Sequence, residues 1–244
     1  MRALETKDLR KYFGNVRAVD GVSIHVDEGE IVSLVGPNGA GKTTLLNLIS
    51  GLIKPDSGKV YFMGEDITGK SPDQLVAKGL ARCFQISNVF EDLTVLENLL
   101  VAIHSIGGTI SLTRRSDDPE AVSRAMEILK EFNLDVKANL TPRELSHGDR
   151  KLLDVAIAYS LNPKVILLDE PTAAMSYKEK KTTVGVIKKL RDQLGVTVLL
   201  VEHDLDVVYE VSDRIVVMHQ GQILSVGTPE EVKEDPKVKE VYLG

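Results

Sequence analysis

Tryptophan is absent from this chain of 244 residues, cysteine occurs once, and the aromatic residues together make up only 5% of it. A single thiol, Cys83, excludes an internal disulfide and a cysteine-rich metal centre, and it fits a reducing compartment. No apolar run approaches the ~18 residues that a membrane-spanning helix needs, so work at a membrane requires docking on a partner. Met1 is followed at once by Arg2, Glu5, Lys7 and Asp8, and no secretory signal is read there. Low-complexity segments and fixed-period repeats are lacking as well. So is positive charge: 36 acidic residues against 30 basic ones leave a net charge of −6, with an isoelectric point of about 5.5. That balance argues against a broad nucleic-acid surface, and no nucleic-acid partner is expected.

What is present is an ordinary globular composition, 43% hydrophobic and 27% charged. The start of the chain alternates in character, as in "VRAVDGVSIHV", and reads as antiparallel strands. "EIVSLVG" is a buried strand that runs into a glycine turn. "KTTLLNLISGL" then reads as a helix, with Gly51 near its end as a capping residue. "KPDSGKV" is a turn and "KVYFM" a strand. From about Leu93 to Leu161 the pattern is helical: Val122, Ala125, Met126 and Leu129 fall on one face, and so do Leu152, Val155, Ala156 and Tyr159. Strands resume with "VILLD", "VTVLLVE" and "RIVVM", and Ser176 is placed to cap the long helix between the first two.

Strand–helix–strand alternation implies a parallel sheet covered by helices. The expected fold class is therefore α/β: a phosphate-loop NTPase core with a parallel sheet, an N-terminal antiparallel β subdomain and an inserted α-helical subdomain. The core would comprise residues 1–85 and 163–244, and the helical subdomain residues 86–162. The alternative is one continuous α/β domain with long helices.

"GPNGAGKT", residues 36–43, matches G-x-x-x-x-G-K-[ST] between a strand and a helix, the context that motif requires. Gly36, Gly39 and Gly41 leave backbone amides free to wrap phosphates, with Asn38, Ala40 and Thr44 in the same loop and helix start. Lys42 would reach the β- and γ-phosphates, and Thr43 would place its hydroxyl on Mg²⁺. "VILLDEP", residues 165–171, delivers Asp169 to the carboxyl end of a buried strand. Asp169 suits Mg²⁺ through a water, and Glu170 beside it is free to polarise an attacking water. Gln85, after "LARCF", carries a neutral amide that can touch Mg²⁺ and the water. His203 ends "VTVLLVE", where an imidazole can donate to the γ-phosphate. A lone glutamine is usually surface, and a lone histidine at a strand end is more often structural; His203 gains weight from landing on the sheet edge of Gly36 and Asp169.

A second anion loop is present in "LSHGDR", residues 145–150. Ser146 can cap the helix that follows, and Gly148 permits close approach, yet the loop has no lysine. Such a loop makes sense if another molecule's lysine already holds the anion.

Taken together and in this order, these motifs resemble the ATP-binding cassette (ABC) ATPase family over essentially the whole chain. Gly36–Thr43 is similar to Walker A, Val165–Asp169 to Walker B with Glu170 as catalytic glutamate, Gln85 to the Q-loop residue, Leu145–Asp149 to the signature and His203 to the switch histidine. "GLARCFQISNVFEDLTVLENLLVA" and "EEVKEDPKVKEVYLG" look like the ATPase subunits of branched-chain amino acid importers. The resemblance implies ATP and Mg²⁺ as ligands, with Phe13 (Tyr12 second) stacking on adenine. It implies head-to-tail pairing with an identical or paralogous ATPase subunit, so that Ser146 and Gly148 meet the partner's ATP. It further implies membrane permease subunits docking near Val89–Leu93, a solute-binding protein upstream, and a peripheral location on the cytoplasmic side of the cell membrane. Two stretches depart from the family pattern: the signature carries His147 and Asp149 where Gly and Gln are usual, and Ala173–Ala174–Met175–Ser176 ends without the usual Asp. The other readings are a non-transport cassette ATPase acting on nucleic acid or ribosomes, and a phosphate-loop kinase or GTPase. The first usually carries two cassettes or a coiled-coil insert, and the second would show an Asn-Lys-x-Asp guanine reader; neither feature is present.

Overall fold

The computed structural model describes residues 1–83, 89–105 and 118–243. Two sheets carry it. In the first, β1 (Arg2–Phe13) is central and pairs antiparallel with β2 (Val16–Val22), β3 (His25–Asp27) and β5 (Ser57–Phe62). A two-residue strand, β6 (Glu65–Asp66), extends β5.

The second sheet is built from β4 (Ile31–Val35), β7 (Leu80–Cys83), β8 (Val165–Asp169), β9 (Thr197–Val201), β10 (Arg214–His219) and β11 (Gln222–Gly227). Its order is β11-β10-β4-β9-β8-β7, parallel except for β11. Every residue of β4, β8 and β9 is buried. That burial explains their unbroken apolar runs, because a parallel strand is covered on both faces. Along β8, Ile166 and Leu168 join the cluster under the helical segment, while Val165 and Leu167 face the N-terminal sheet and phosphate-loop helix.

Register places the site. Val217 of β10 pairs with Val35, Leu34 pairs with Val201, and Asp169 pairs with Val201. The carboxyl ends of β4, β8 and β9 are therefore level, and the residues after them emerge side by side.

The helices follow their local signals. Helix α1 (Lys42–Ile49) starts at Gly41 and ends at Ser50, with Gly51 at φ +72° just beyond. Helix α2 (Pro72–Lys78) is absent from the sequence reading because seven residues carry too little periodicity. Its signals are local: Ser71 and Gln74 form a capping box, Pro72 opens it and Gly79 closes it. Helices α3 (Val95–Ser105), α4 (Pro119–Glu131) and α5 (His147–Ser160) pack together over one face of the parallel sheet. Helix α6 (Tyr177–Asp192) joins β8 to β9, α7 (Leu205–Val211) joins β9 to β10, and α8 (Pro229–Glu234) and α9 (Pro236–Leu243) end the chain.

Phe132, at the end of α4, is fully buried and its ring lies 5.6 Å from that of Tyr159 on α5. Replacing a buried Phe by Ala typically costs about 3–5 kcal/mol, because a cavity adds to the lost transfer energy. Phe132→Ala is expected to lower unfolding stability by about that amount in urea titration. A loss below about 1 kcal/mol would show that the α4–α5 contact can collapse around the gap.

Candidate active site

The phosphate loop is held open by its own backbone. Gly41 has φ +102°, and a Cβ there would lie 2.1 Å from the Ala18 carbonyl oxygen. At Gly36 the same atom would lie 2.2 Å from the Met218 carbonyl. Only glycine lets the loop pass between these two segments of the chain. The Gly221 amide donates to the Ala40 carbonyl at 3.0 Å and the Asp20 amide to Gly221 at 2.8 Å, which ties the β1–β2 hairpin to the loop.

Around this loop lies a cleft of about 660 Å³ lined by Asn38–Thr44, Glu170, His203, Asn15–Ala18 and Gln220. The volume lies within the usual range for a small-molecule site. Lys42 is buried, and its ammonium donates to the Gly36 and Pro37 carbonyls at 2.7 and 3.1 Å. Burial pushes its pKa down, while the carboxylates of Glu170 and Asp169 pull the other way. Glu170 takes φ +50°, a strained conformation for a non-glycine residue, fixed by its amide donating to the Val201 carbonyl at 2.9 Å. The kink turns its carboxylate into the cleft, where Oε1 lies 2.7 Å from Nε2 of His203.

The predicted residues separate into groups. Gly39, Ala40, Gly41, Lys42, Thr43, Thr44, Asn38, Glu170 and His203 line one cleft. Gly36 stands just behind it as the carbonyl that Lys42 holds. Asp169 is buried one layer further back, its Oδ2 accepting from Arg82 Nη2 at 2.8 Å. Phe13 ends β1 half exposed, with the Lys11 ammonium 5.7 Å from its ring centre, and it does not line the cleft. Tyr12 is engaged elsewhere, donating to Asp20 at 2.7 Å. Gln85 lies outside the described residues. Asn15–Ala18 and Gln220 escaped sequence reasoning; only the hydrogen bonds through Gly221 bring that hairpin to the loop.

Ser146 and Gly148 lie elsewhere, in a cavity of about 310 Å³ that shares no lining residue with the first. Ser146 caps α5 as expected, accepting from the Asp149 amide at 3.2 Å. The unusual Asp149 is balanced by Lys137 at 2.6 Å. The Gly148 amide already has a partner, Glu179 Oε1 at 3.2 Å. Glu179 also completes the capping box of α6, its Oε2 accepting from the Ser176 amide at 3.0 Å and hydroxyl at 2.7 Å. One carboxylate thus serves the starts of two helices. Ser176, where the family has Asp, keeps the capping role.

A phosphate-wrapping glycine loop, a carboxylate at the next strand end and a histidine bonded to it define a nucleotide hydrolase of the cassette type. The chain belongs to the ABC transporter family: residues 19–173 match the model described as ABC transporter, and residues 222–244 the one described as branched-chain amino acid ATP-binding cassette transporter. Two relatives illustrate the likeness. The high-affinity branched-chain amino acid transport ATP-binding protein BraF of Pseudomonas aeruginosa is 40% identical over 99% of this chain and 97% of its own. LivG of Escherichia coli strain K12, a protein of the same description, is 38% identical over 99% and 97%. A crystal structure of the ADP conformation of an ATP-binding cassette matches with a TM-score of 0.89 at 38% identity, covering 100% of this chain and 99% of that one. A dimeric post-hydrolysis cassette bound to ADP and phosphate matches at 0.79 and 32%, covering 93% and 98%. The protein is thus an ATP-binding α/β cassette whose relatives act in transport, consistent with ATP hydrolysis.

Hydrogen bonds from Ser176 first, then from Gly148 and Ser146, pull the Glu179 carboxyl from its ordinary 4.5 down to about 2. A lowered folded-state value means that its contribution to stability is complete above about pH 4.5 and is lost as pH falls towards about 2. Titration of the Glu179 carboxyl by NMR is expected to give a midpoint near 2. Glu179→Gln is expected to flatten the fall in stability between those two pH values. A midpoint near 4.5 would remove the double cap.

Proposed function

We propose that this chain is the ATP-hydrolysing subunit that energises an importer of branched-chain or other amino acids. The observation that carries the hydrolytic part is the bonded pair Glu170–His203 facing Lys42 across one glycine-lined cleft. Support for the solute class comes from relatives named for branched-chain amino acid transport and from the tail at 222–244. The working form is a pair of ATPase subunits, identical or paralogous. Membrane permease subunits, fed by a solute-binding protein, hold the pair on the cytoplasmic side of the membrane. No helix among the described residues is long and apolar enough to cross a membrane. The core at 1–85 and 163–244 and the helical part at 86–162 act as the two subdomains of this cassette.

The roles follow from placement. Lys42 exchanges its two carbonyl partners for the β- and γ-phosphates. Glu170 accepts a proton from the attacking water, and His203 holds that carboxylate and faces the γ-phosphate. Among the described residues no three His, Cys, Asp or Glu side chains cluster as a metal site. Mg²⁺ keeps several waters and phosphate oxygens and takes few direct protein ligands, which a hydroxyl, a neutral amide and a carboxylate acting through water can supply. Thr43, Asp169 and Gln85 would hold it, and when bound it neutralises phosphate charge. Phe13 offers the open aromatic face for the adenine.

Ser146 and Gly148 lie outside this cleft and serve the partner's ATP, whose γ-phosphate meets the start of α5. For the permease, Asn98 shapes the docking loop: its side chain bonds Phe90 at 2.8 and 3.1 Å and Leu93 at 3.2 Å, leaving the Phe90 ring exposed.

Glu170→Gln is expected to keep ATP binding, reduce turnover by about 10²-fold or more, and trap an ATP-bound dimer. Wild-type turnover in that variant would remove Glu170 from catalysis. Lys42→Ala is expected to abolish or severely weaken ATP binding in calorimetry. Gly148→Asp is expected to spare ATP binding and abolish ATP-dependent dimerisation. Mixing the Lys42→Ala and Gly148→Asp proteins should restore part of the activity, since one shared site is then intact. A dead mixture of folded proteins would mean either that the signature loop does not act across subunits or that the natural partner is a paralogous subunit; if the Glu170→Gln protein alone still dimerises with ATP, the cross-subunit role is refuted.

A further inference from the structure

Arg82 has no role in the roles assigned above, yet its side chain is buried against two of the elements that position the site, α1 and β8. It stands on β7, paired in register with Leu167, two residues before Asp169 on β8. Its side chain and that of Asp169 are each only 6% exposed. Nη2 donates to Asp169 Oδ2 at 2.8 Å. Nη1 donates to Asn47 Oδ1 at 2.7 Å and to Ser50 Oγ at 2.8 Å. Asn47 and Ser50 form the carboxyl end of α1, and Lys42 is its first residue. The partial negative charge of a helix carboxyl end favours a cation there. A planar guanidinium can direct parallel donors at two separate targets, which the point charge of a lysine cannot do with the same geometry.

We infer that Arg82 is a positioning residue for nucleotide hydrolysis: it locks the Asp169 carboxylate to the phosphate-loop helix, so that the acid stays in register with Lys42 and Thr43 around the nucleotide's divalent cation. The inference rests on reading Asp169 as the cation-holding acid. Two effects oppose each other here. The guanidinium charge repels a divalent cation, but its fork removes the freedom of a buried carboxylate to turn away. The orienting effect is the larger, since loss of groups that orient a metal-binding side chain commonly costs about 10–100-fold in metal affinity or activity.

The test uses the full chain and ADP, titrated by calorimetry with Mg²⁺ and again in chelator, together with Mn²⁺ paramagnetic resonance of the ADP complex. Arg82→Gln is expected to bind ADP in chelator within about 2-fold of wild type and to lose about 10-fold of the affinity that the divalent cation adds. The Mn²⁺ signal is expected to broaden, kcat for ATP to fall more than KM rises, and Arg82→Lys to recover part of each. Should Arg82→Gln fail to fold, Arg82→Lys, which lacks the planar fork, and Asn47→Ala, which removes one of the two acceptors of Nη1, are expected to show smaller losses of the same kind. An unchanged or larger cation-dependent gain in folded Arg82 variants overturns the inference. Asp169→Asn separates the two readings. If that variant loses the cation-dependent gain and the Arg82 variants keep it, the inference alone falls. If Asp169→Asn keeps it, the assignment of Asp169 falls and the inference with it.

Discussion

The parallel pairing of β10, β4, β9 and β8 is the constraint on which the rest of the site depends. Because Asp169 and Leu34 both pair with Val201, three strands end at one level. Their carboxyl ends launch the phosphate loop, the Glu170 kink and His203 into the same space. Burial on both faces fixes this register, for a slip of one residue would turn every apolar side chain of a strand to the opposite face. Lys42 and Glu170 are 128 residues apart in the chain and meet only through that register.

The two phosphate-seeking loops of the chain are kept apart, and each is satisfied from within. Lys42 rests on the carbonyls of its own loop, and the Gly148 amide rests on Glu179. Both groups carry strong hydrogen-bonding capacity that would be costly to leave unmade. In the proposed function a nucleotide phosphate would supply the same kind of partner, and binding would exchange contacts at these positions. Such exchange suits a cycle in which subunits close on ATP and reopen after hydrolysis. Asp149 and Ser176, which depart from the family pattern, are absorbed locally: Lys137 balances the first and the α6 cap employs the second.

The parts of the fold legible in the sequence were those carried by short-range rules. Unbroken apolar runs marked β4, β8 and β9, and each is buried in every residue. Ser146 and Ser176 cap the helices that their positions announce. Helix α2 went unread because its signals lie in its ends and not in its periodicity. Phe13 could be singled out only through family likeness, and it stands beside the cleft and not in its lining.

Composition, motif order and spacing by themselves determined the fold class, the phosphate loop and the chemical types of Lys42, Asp169, Glu170 and His203, since each follows from local backbone geometry or side-chain chemistry. Tertiary structure alone decided which of them share a cleft, that Asn15–Ala18 and Gln220 complete it, and that Arg82 reaches Asp169, Asn47 and Ser50 at once. Those contacts join residues far apart in the chain, and their distances depend on strand register and helix packing, which no short-range pattern encodes.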